Sequence, residues 1–201
     1  MAFTVLPYGP HAALIECDNQ SVLTIAAAAR ASRSFREVIP AERSVLVTFA
    51  FGTSIEDVEG IARTAPDVAA TITPREHLIP VDYNGVDLEL VAEALGLDVE
   101  DVVEAHSSAV YTAGFPGFMP GFMYLYGLPE QLTLPRRPVG RTTVPAGSVV
   151  IGDLYAAVYP AAGPGGWHVL GQTDVPLLDP RSAEPALIIP GDRVRFVVRS
   201  A

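Results

Sequence analysis

Two kinds of hydrophobic patterning divide the 201-residue chain. Up to about residue 108, short apolar runs alternate with stretches of helical spacing. FTVLPY and ALIEC flank a Gly9-Pro10 turn and predict a hairpin. Asn19 or Ser21 is placed to cap an alanine-rich helix running from Val22 to about Ser34, because alanine loses no side-chain entropy on helix formation. Phe35–Ile39 and Ser44–Phe51 predict strands. Thr53 or Ser54 caps a second helix whose first turn carries Glu56 and Asp57 at the positive end of its dipole. Arg75–Tyr83 returns as a strand. The order strand, helix, strand, strand, helix, strand is that of a ferredoxin-like split βαβ domain. From Ala109 onward helical periodicity nearly vanishes. AVYTAGF, MYLYG, SVVIG, YAAVYP, WHVLG, PALIIP and RVRFVV are short strands between Gly/Pro turns, a pattern that predicts a closed or nearly closed β-barrel.

Between these regions, residues 86–107 predict two short helices separated by Gly96, the second capped by Asp98. The expected organisation is α+β: a small ferredoxin-like domain over 1–84, then a helical lead-in and a β-barrel domain over 85–201. Glycine and proline support the division, since residues 114–191 hold 12 of the 17 glycines and 12 of the 18 prolines.

Composition narrows the chemistry. With 49% hydrophobic and 18% charged residues and no apolar run of bilayer length, the chain predicts a soluble, core-forming protein. The lone Cys17 cannot close an internal disulfide. No basic segment followed by an apolar one marks the start for secretion, so a cytoplasmic location is expected. The net charge of −10 disfavours a nucleic-acid partner, and every base is an arginine. Without lysine there is no P-loop, Schiff-base amine or SxxK nucleophile. The acid is concentrated early, with 17 Asp and Glu against 6 Arg in residues 1–108 and 6 against 7 thereafter. Seven acids between Asp87 and Glu104, with no base among them, follow helical spacing opposite the apolar stripe and predict a solvated face.

Three segments carry candidate chemistry. GFPGFMPGFMYLYG packs aromatics and methionines among glycines and prolines. It can bring backbone close to a ligand, or its rings can plug the barrel end; composition supports both readings equally. Arg136, Arg137 and Arg141 can offer bidentate forks to a carboxylate or phosphate, or can lie solvated on a turn. GPGGWH leads from a flexible turn to the single Trp167 and to His168, a side chain able to act as acid, base or ligand. Ser148 lies outside any GxSxG elbow, and the four histidines are too scattered to predict a metal site.

These segments, with HSSAVYTAGFPGFMPGFMYLYGLP, PRRPVGRTTVPAGSVVIG, VYPAAGPGGWHVLGQT and PALIIPGDRVRFV in that order, resemble the family of the 5-oxoprolinase B subunit. It is also called allophanate hydrolase subunit 1 or KipI-like. The resemblance runs from about Leu78 to the C-terminus and more loosely over the N-terminal part. It implies that the barrel is cyclophilin-like, and that the protein is a non-autonomous subunit of an ATP-dependent complex opening 5-oxoproline to glutamate. The implied partners are a carboxyltransferase protein like the 5-oxoprolinase C subunit, joined to this chain in a carboxyltransferase-like cleft, and the LamB/YcsF-type A subunit. ATP is used by the complex, and no cofactor is expected on this chain alone.

The site carried over places Arg141 and His168 as catalytic candidates and Arg136 and Ser148 in substrate recognition, with Gly117, Pro120, Gly121, Phe122, Gly165, Gly166 and Trp167 shaping the cleft. The chain departs from the family pattern at Asp153–Ala157 and at Gln172, where polar or permissive groups are expected to be lost. Rival readings are an allophanate hydrolase or urea amidolyase-type subunit, a KipI-like inhibitor docking on a histidine kinase, and, more weakly, a peptidyl-prolyl isomerase. Fold alone transfers no activity.

Overall fold

The protein, seen in a computed structural model that describes residues 1–69 and 73–199, forms two compact units, Met1–Pro74 with Gly114–Pro116, and Arg75–Ala113 with Gly117–Ala201. In the first unit, β1 (Phe3–Pro7), β2 (Ala12–Cys17), β3 (Phe35–Pro40) and β4 (Ser44–Phe49) make an antiparallel sheet in the order β1-β2-β4-β3. Two helices, α1 (Asn19–Ser32) and α2 (Ile55–Ala69), are packed against each other. Ala13, Ile15, Val45 and Val47 meet Val22, Ile25, Ala26, Ala29, Val58 and Ala65 in one buried cluster. Strand alternation puts the small and β-branched residues inward, where they pack at close range against the alanine face of α1.

Caps are as the sequence suggests for one helix and not for the other. Ser54 and Asp57 form a reciprocal box, Ser54 N–H donating to the Asp57 carboxylate at 2.8 Å and Asp57 N–H to the Ser54 hydroxyl at 3.3 Å. For α1 the cap is Asp18, which accepts from both the backbone N–H and the hydroxyl of Ser21. A carboxylate offers two acceptors there, and Asn19 already belongs to the helix.

The strand at Arg75–Tyr83 is corrected. A ferredoxin-like domain would return it to the edge beside β2, but β1 holds that edge through the short hairpin at Gly9-Pro10, a closure that costs little loop entropy. The segment forms β5 (Glu76–Val81), which pairs in parallel with the last strand in the second unit, Glu76 opposite Arg193 through Val81 opposite Val198.

The second unit is built on α3 (Leu88–Leu95), α4 (Val99–Ser108), the Tyr111–Ala113 part of β6 (Tyr111–Pro116), β7 (Met123–Tyr126), a 3₁₀ turn at Glu130–Leu132, β8 (Arg141–Val144), β9 (Ser148–Gly152), β10 (Tyr155–Val158), β11 (Gly163–Gly165), β12 (His168–Gln172) and β13 (Arg193–Val198). PALIIP forms no strand, only a bridge between Leu178 and Ala186. Seven strands run in the order β12-β9-β10-β7-β6-β13-β5, while β8 and β11 pair separately.

The sheet is almost closed on itself. Beyond β5, Asp82 exchanges both backbone hydrogen bonds with Gln172 at the end of β12, each at 2.9 Å, so the two edge strands meet. Joining the edges removes the exposed ladder groups an open sheet would carry. Inside lie Ile79, Val81, Tyr111, Leu125, Val149, Ile151, Leu170, Val194 and Phe196, with Leu88, Val91 and Val102 of the helices in the same cluster. No helix among the described residues is long and apolar enough to cross a membrane.

Candidate functional site

The site residues read from the sequence separate into two groups, joined by one acid that the sequence did not single out. Asp87, read with the solvated acids, is 1% exposed. It stands at the N-cap position of α3, yet its carboxylate makes no cap there. Instead it accepts from Arg141 through both oxygens, at 2.7 and 2.9 Å, from Arg137 at 2.7 Å and from the Val169 N–H at 2.8 Å. Burial by itself pushes the Asp87 carboxyl up. The Arg141 hydrogen bonds, the Val169 N–H and the two guanidinium charges outweigh it and hold the group below the usual carboxylate range. Two of the three clustered arginines therefore share one carboxylate, Arg141 in a planar bidentate geometry suited to guanidinium and Arg137 through a single bond, which leaves a net positive charge on the group.

The first group lies beside the closure seam. Arg141 and Ser148 share a recess of about 250 Å³ with Asn84, Gly85, Gly171 and Gln172. Ser148 is buried at the start of β9, opposite Gln172 of β12. Gln172 Nε2 donates to the Ala146 carbonyl at 3.1 Å. Glycine is needed here for close approach. A Cβ on Gly85 would collide with the Val169 carbonyl, and one on Gly171 with the Asp82 carbonyl.

The second group is aromatic. Phe122 is buried, with ring centroids 5.4 Å from Phe118, 5.2 Å from Tyr124, 5.4 Å from Tyr159 and 5.8 Å from Trp167, all edge to face. Such pairs gain about 0.5–1.5 kcal/mol each beyond area burial. The Gly117–Phe122 turn that presents them closes through Gly117 N–H to the Phe122 carbonyl at 3.3 Å, with Pro120 exposed and Gly121 at φ +81°. Gly165 has no room for a side chain because the Tyr159 hydroxyl occupies that space, and the Gly166 carbonyl accepts from Arg137 N–H at 2.7 Å. Both sequence readings of this segment have a counterpart: Phe122 is core, whereas Phe118 is half exposed at φ +61°.

Arg136 lies over Trp167, 5.3 Å from its centroid, and its Nε donates to Asp153 at 2.7 Å. Asp153 takes φ +54° in the two-residue turn between β9 and β10, a conformation Asp tolerates better than most residues. The departure at 153–157 thus supplies a carboxylate where a loss of polarity was expected. His168 points its Nε2 at the Pro135 carbonyl, 3.0 Å away. A carbonyl only accepts, so Nε2 carries the hydrogen, and Nδ1 is buried without a partner among the described residues. His168 and Ser148 are not hydrogen-bonded to each other. No group of three or more His, Cys, Asp or Glu able to hold a metal ion occurs among the described residues.

The described residues thus form a mixed α/β chain with a nearly closed, barrel-like sheet and a small polar recess at its seam. The profile of the carboxyltransferase domain, subdomains C and D, matches residues 3–188, and the chain belongs to that family. The B subunit of 5-oxoprolinase from Escherichia coli O157:H7 is 54% identical over 122 residues, which are 59% of this chain and 56% of that protein. The chain covers 51–58% of the length of the curated relatives it matches, each of them named as the B subunit of 5-oxoprolinase. A conserved uncharacterized protein from Pyrococcus horikoshii is 32% identical, with a TM-score of 0.60 over 98% of this chain and 97% of that one. The Kluyveromyces lactis urea amidolyase, at 18% identity and a TM-score of 0.66 over 98% of this chain and 15% of that one, shares the fold.

Proposed function

We propose that this chain is a non-autonomous subunit of an ATP-dependent amide-hydrolysing complex, of the 5-oxoprolinase type, working in the cytoplasm. The observation that carries the reading is the size and chemistry of the seam recess. At about 250 Å³ it falls below the roughly 300–1,000 Å³ of sites that enclose a small ligand by themselves. It offers Arg141, Ser148 and Gln172 but no base hydrogen-bonded to the Ser148 hydroxyl, so it can orient a substrate and has no evident means of attacking one. A second chain, the C-type carboxyltransferase protein, would complete the cleft over a cyclophilin-like barrel. The LamB/YcsF-type component would bring the ATP-dependent step. An unstrained lactam is a stable amide, and coupling to ATP turns it into a better electrophile. In this reading Arg141 and Ser148 meet the substrate's carboxylate or developing oxyanion, and His168, tied to Pro135, positions the Trp167 wall.

The test follows glutamate release from 5-oxoproline with ATP by the chain alone, with the C-type protein, and with the C-type and LamB/YcsF-type proteins together. Turnover by the full set only is the expected result. Turnover by the chain alone, or failure to associate with the C-type protein, would overturn the reading. Release from allophanate but not 5-oxoproline would move the assignment to the urea amidolyase type.

A further inference from the structure

We propose that the open end of the four-stranded sheet in the first unit binds a small organic carboxylate bearing a flat ring, at a site separate from the seam recess and independent of the reading above. Three chain segments converge there. The β1–β2 turn brings Tyr8 and His11, the end of β4 brings Thr48 and Phe49, and the start of β3 brings Arg36. They line a cavity of about 640 Å³, within the range of small-molecule sites and more than twice the seam recess.

Arg36 is there because of a β-bulge. Phe35 pairs with Phe49 and Glu37 with Thr48, so Arg36 is the extra residue, and a bulge re-aims the side chain it carries. Its guanidinium has no hydrogen-bond or ion-pair partner among the described residues, unlike Arg136, Arg137 and Arg141. Thr48 lines the same cavity, and its hydroxyl oxygen is buried without a partner among the described residues. A buried hydroxyl with no partner is costly unless something completes it, and a fork of N–H donors together with a hydroxyl donor matches a carboxylate. None of the lining residues is acidic, on a chain of net charge −10.

The walls select the rest of the ligand. Phe51 is fully exposed, which no packing requirement explains, and the backbone turn that carries it is fixed by hydrogen bonds. Its turn closes through Thr53 N–H to the Ala50 carbonyl at 3.3 Å, with Gly52 at φ +85°. The turn is braced on the Ser34 carbonyl by Ala50 N–H at 3.1 Å and the Thr53 hydroxyl at 2.7 Å. Phe51 and Tyr8, itself 60% exposed, both line the cavity and offer aromatic faces on which a planar group can stack.

The test is titration of the full, ¹⁵N-labelled chain with benzoate, benzamide and acetate, followed by amide chemical shifts. Benzoate should shift residues 8–12, 36 and 48–53 saturably, and benzamide and acetate should bind at least tenfold more weakly. Arg36→Gln should weaken benzoate at least tenfold with the rest of the spectrum unchanged. Phe51→Ala, which removes no buried contact, should weaken it severalfold. The absence of saturable shifts, shifts confined to other residues, equal binding of benzamide, or benzoate affinity unaltered by Arg36→Gln would each overturn the proposal.

Discussion

Arg141 and Asp87 meet through two parallel hydrogen bonds, at 2.7 and 2.9 Å, although 54 residues separate them in sequence. Because Arg137 and the Val169 N–H share the same carboxylate, this pair ties the start of α3, the loop before β8 and strand β12 together. An arginine that looks available in sequence is thereby a structural member of the seam, with only about a quarter of its side chain exposed to meet a substrate.

Removing the acid tests that role. Asp87→Asn keeps the shape but leaves two guanidinium groups facing a neutral amide, one of whose polar atoms can only donate. Breaking a buried ion pair from one side costs about 3–5 kcal/mol, and the partial exposure of both arginines places the expected loss near the lower figure. Urea denaturation should show a lower midpoint with an unchanged slope. A loss below about 1 kcal/mol would mean that water replaces the carboxylate and that the triad is not a structural element.

The closure seam depends on glycine in a way that a paired substitution exposes. A Cβ at Gly171 would press on the Asp82 backbone carbonyl, which exchanges hydrogen bonds with Gln172 and has no flexible side chain to move aside. Gly171→Ala should therefore cost about 3 kcal/mol, the upper end of the overpacking range. Gly60→Ala, in the middle of α2 with nothing within 4 Å of the new atom, should stabilise by about 0.5–1 kcal/mol through helix propensity. Thermal melting of both variants checks the contrast. Equal effects would show that the edges of the sheet are not locked.

What the sequence could and could not reveal follows the range of the interactions. The hairpin at Gly9-Pro10, α1, the Ser54 box, α3, α4 and the strand-rich second part are set by neighbours a few residues apart, and all are legible. Parallel pairing of β5 with β13 joins residues about 117 apart, and no local signal distinguishes it from a return to the first sheet. The same holds at the site. Glycine, proline and aromatic density marks the Gly117–Phe122 turn and the Trp167 cluster, but helical spacing hides Asp87, because its position facing solvent or core depends on arginines 50 and 54 residues away. Asn84, Gly85 and Gly171 carry no motif, and only the closed ladder gives them a place in the recess. A charge surplus over 87–104 with no base to match was the one available hint that an acid there could seek a distant partner.

Cys17 should be a slow thiol. Partial burial and, secondarily, the neighbouring Asp18 charge push it up to about 11. At pH 8 its thiolate fraction falls on the order of a hundredfold below that of a free cysteine, and reaction rate follows that fraction. Labelling with a chromogenic disulfide should therefore be slow in the native chain and fast in urea. Asp18→Asn should speed native labelling slightly with little loss of stability, since Asn caps almost as well. Native labelling as fast as the unfolded chain would contradict both the burial and the charge effect.

The buried histidine gives the protein a defined response to acid. His106 is fully buried, shares a 2.8 Å hydrogen bond between its Nδ1 and the Tyr83 hydroxyl, stacks on Phe196 at 4.6 Å, and faces Tyr111, whose hydroxyl donates to the His106 backbone carbonyl. Burial lowers its pKa to about 3. An unfolded histidine titrates near 6.5, so between about pH 6.5 and 3 the unfolded chain binds a proton that the folded chain refuses. The contribution of a neutral His106 is then complete above pH 6.5 and declines on acidification at up to about 1.4 kcal/mol per pH unit, well before the depressed carboxylates of Asp87 and Asp192 begin to matter near pH 4. His106→Gln keeps both a donor and an acceptor for the Tyr83 hydroxyl and removes the titration. Urea midpoints measured from pH 7.5 to 4.5 should fall steeply for the wild type and more gently for the variant, the two curves converging as the pH drops. Parallel curves across that window would show that His106 takes up its proton in the folded state, and would refute the dry aromatic environment assigned to it.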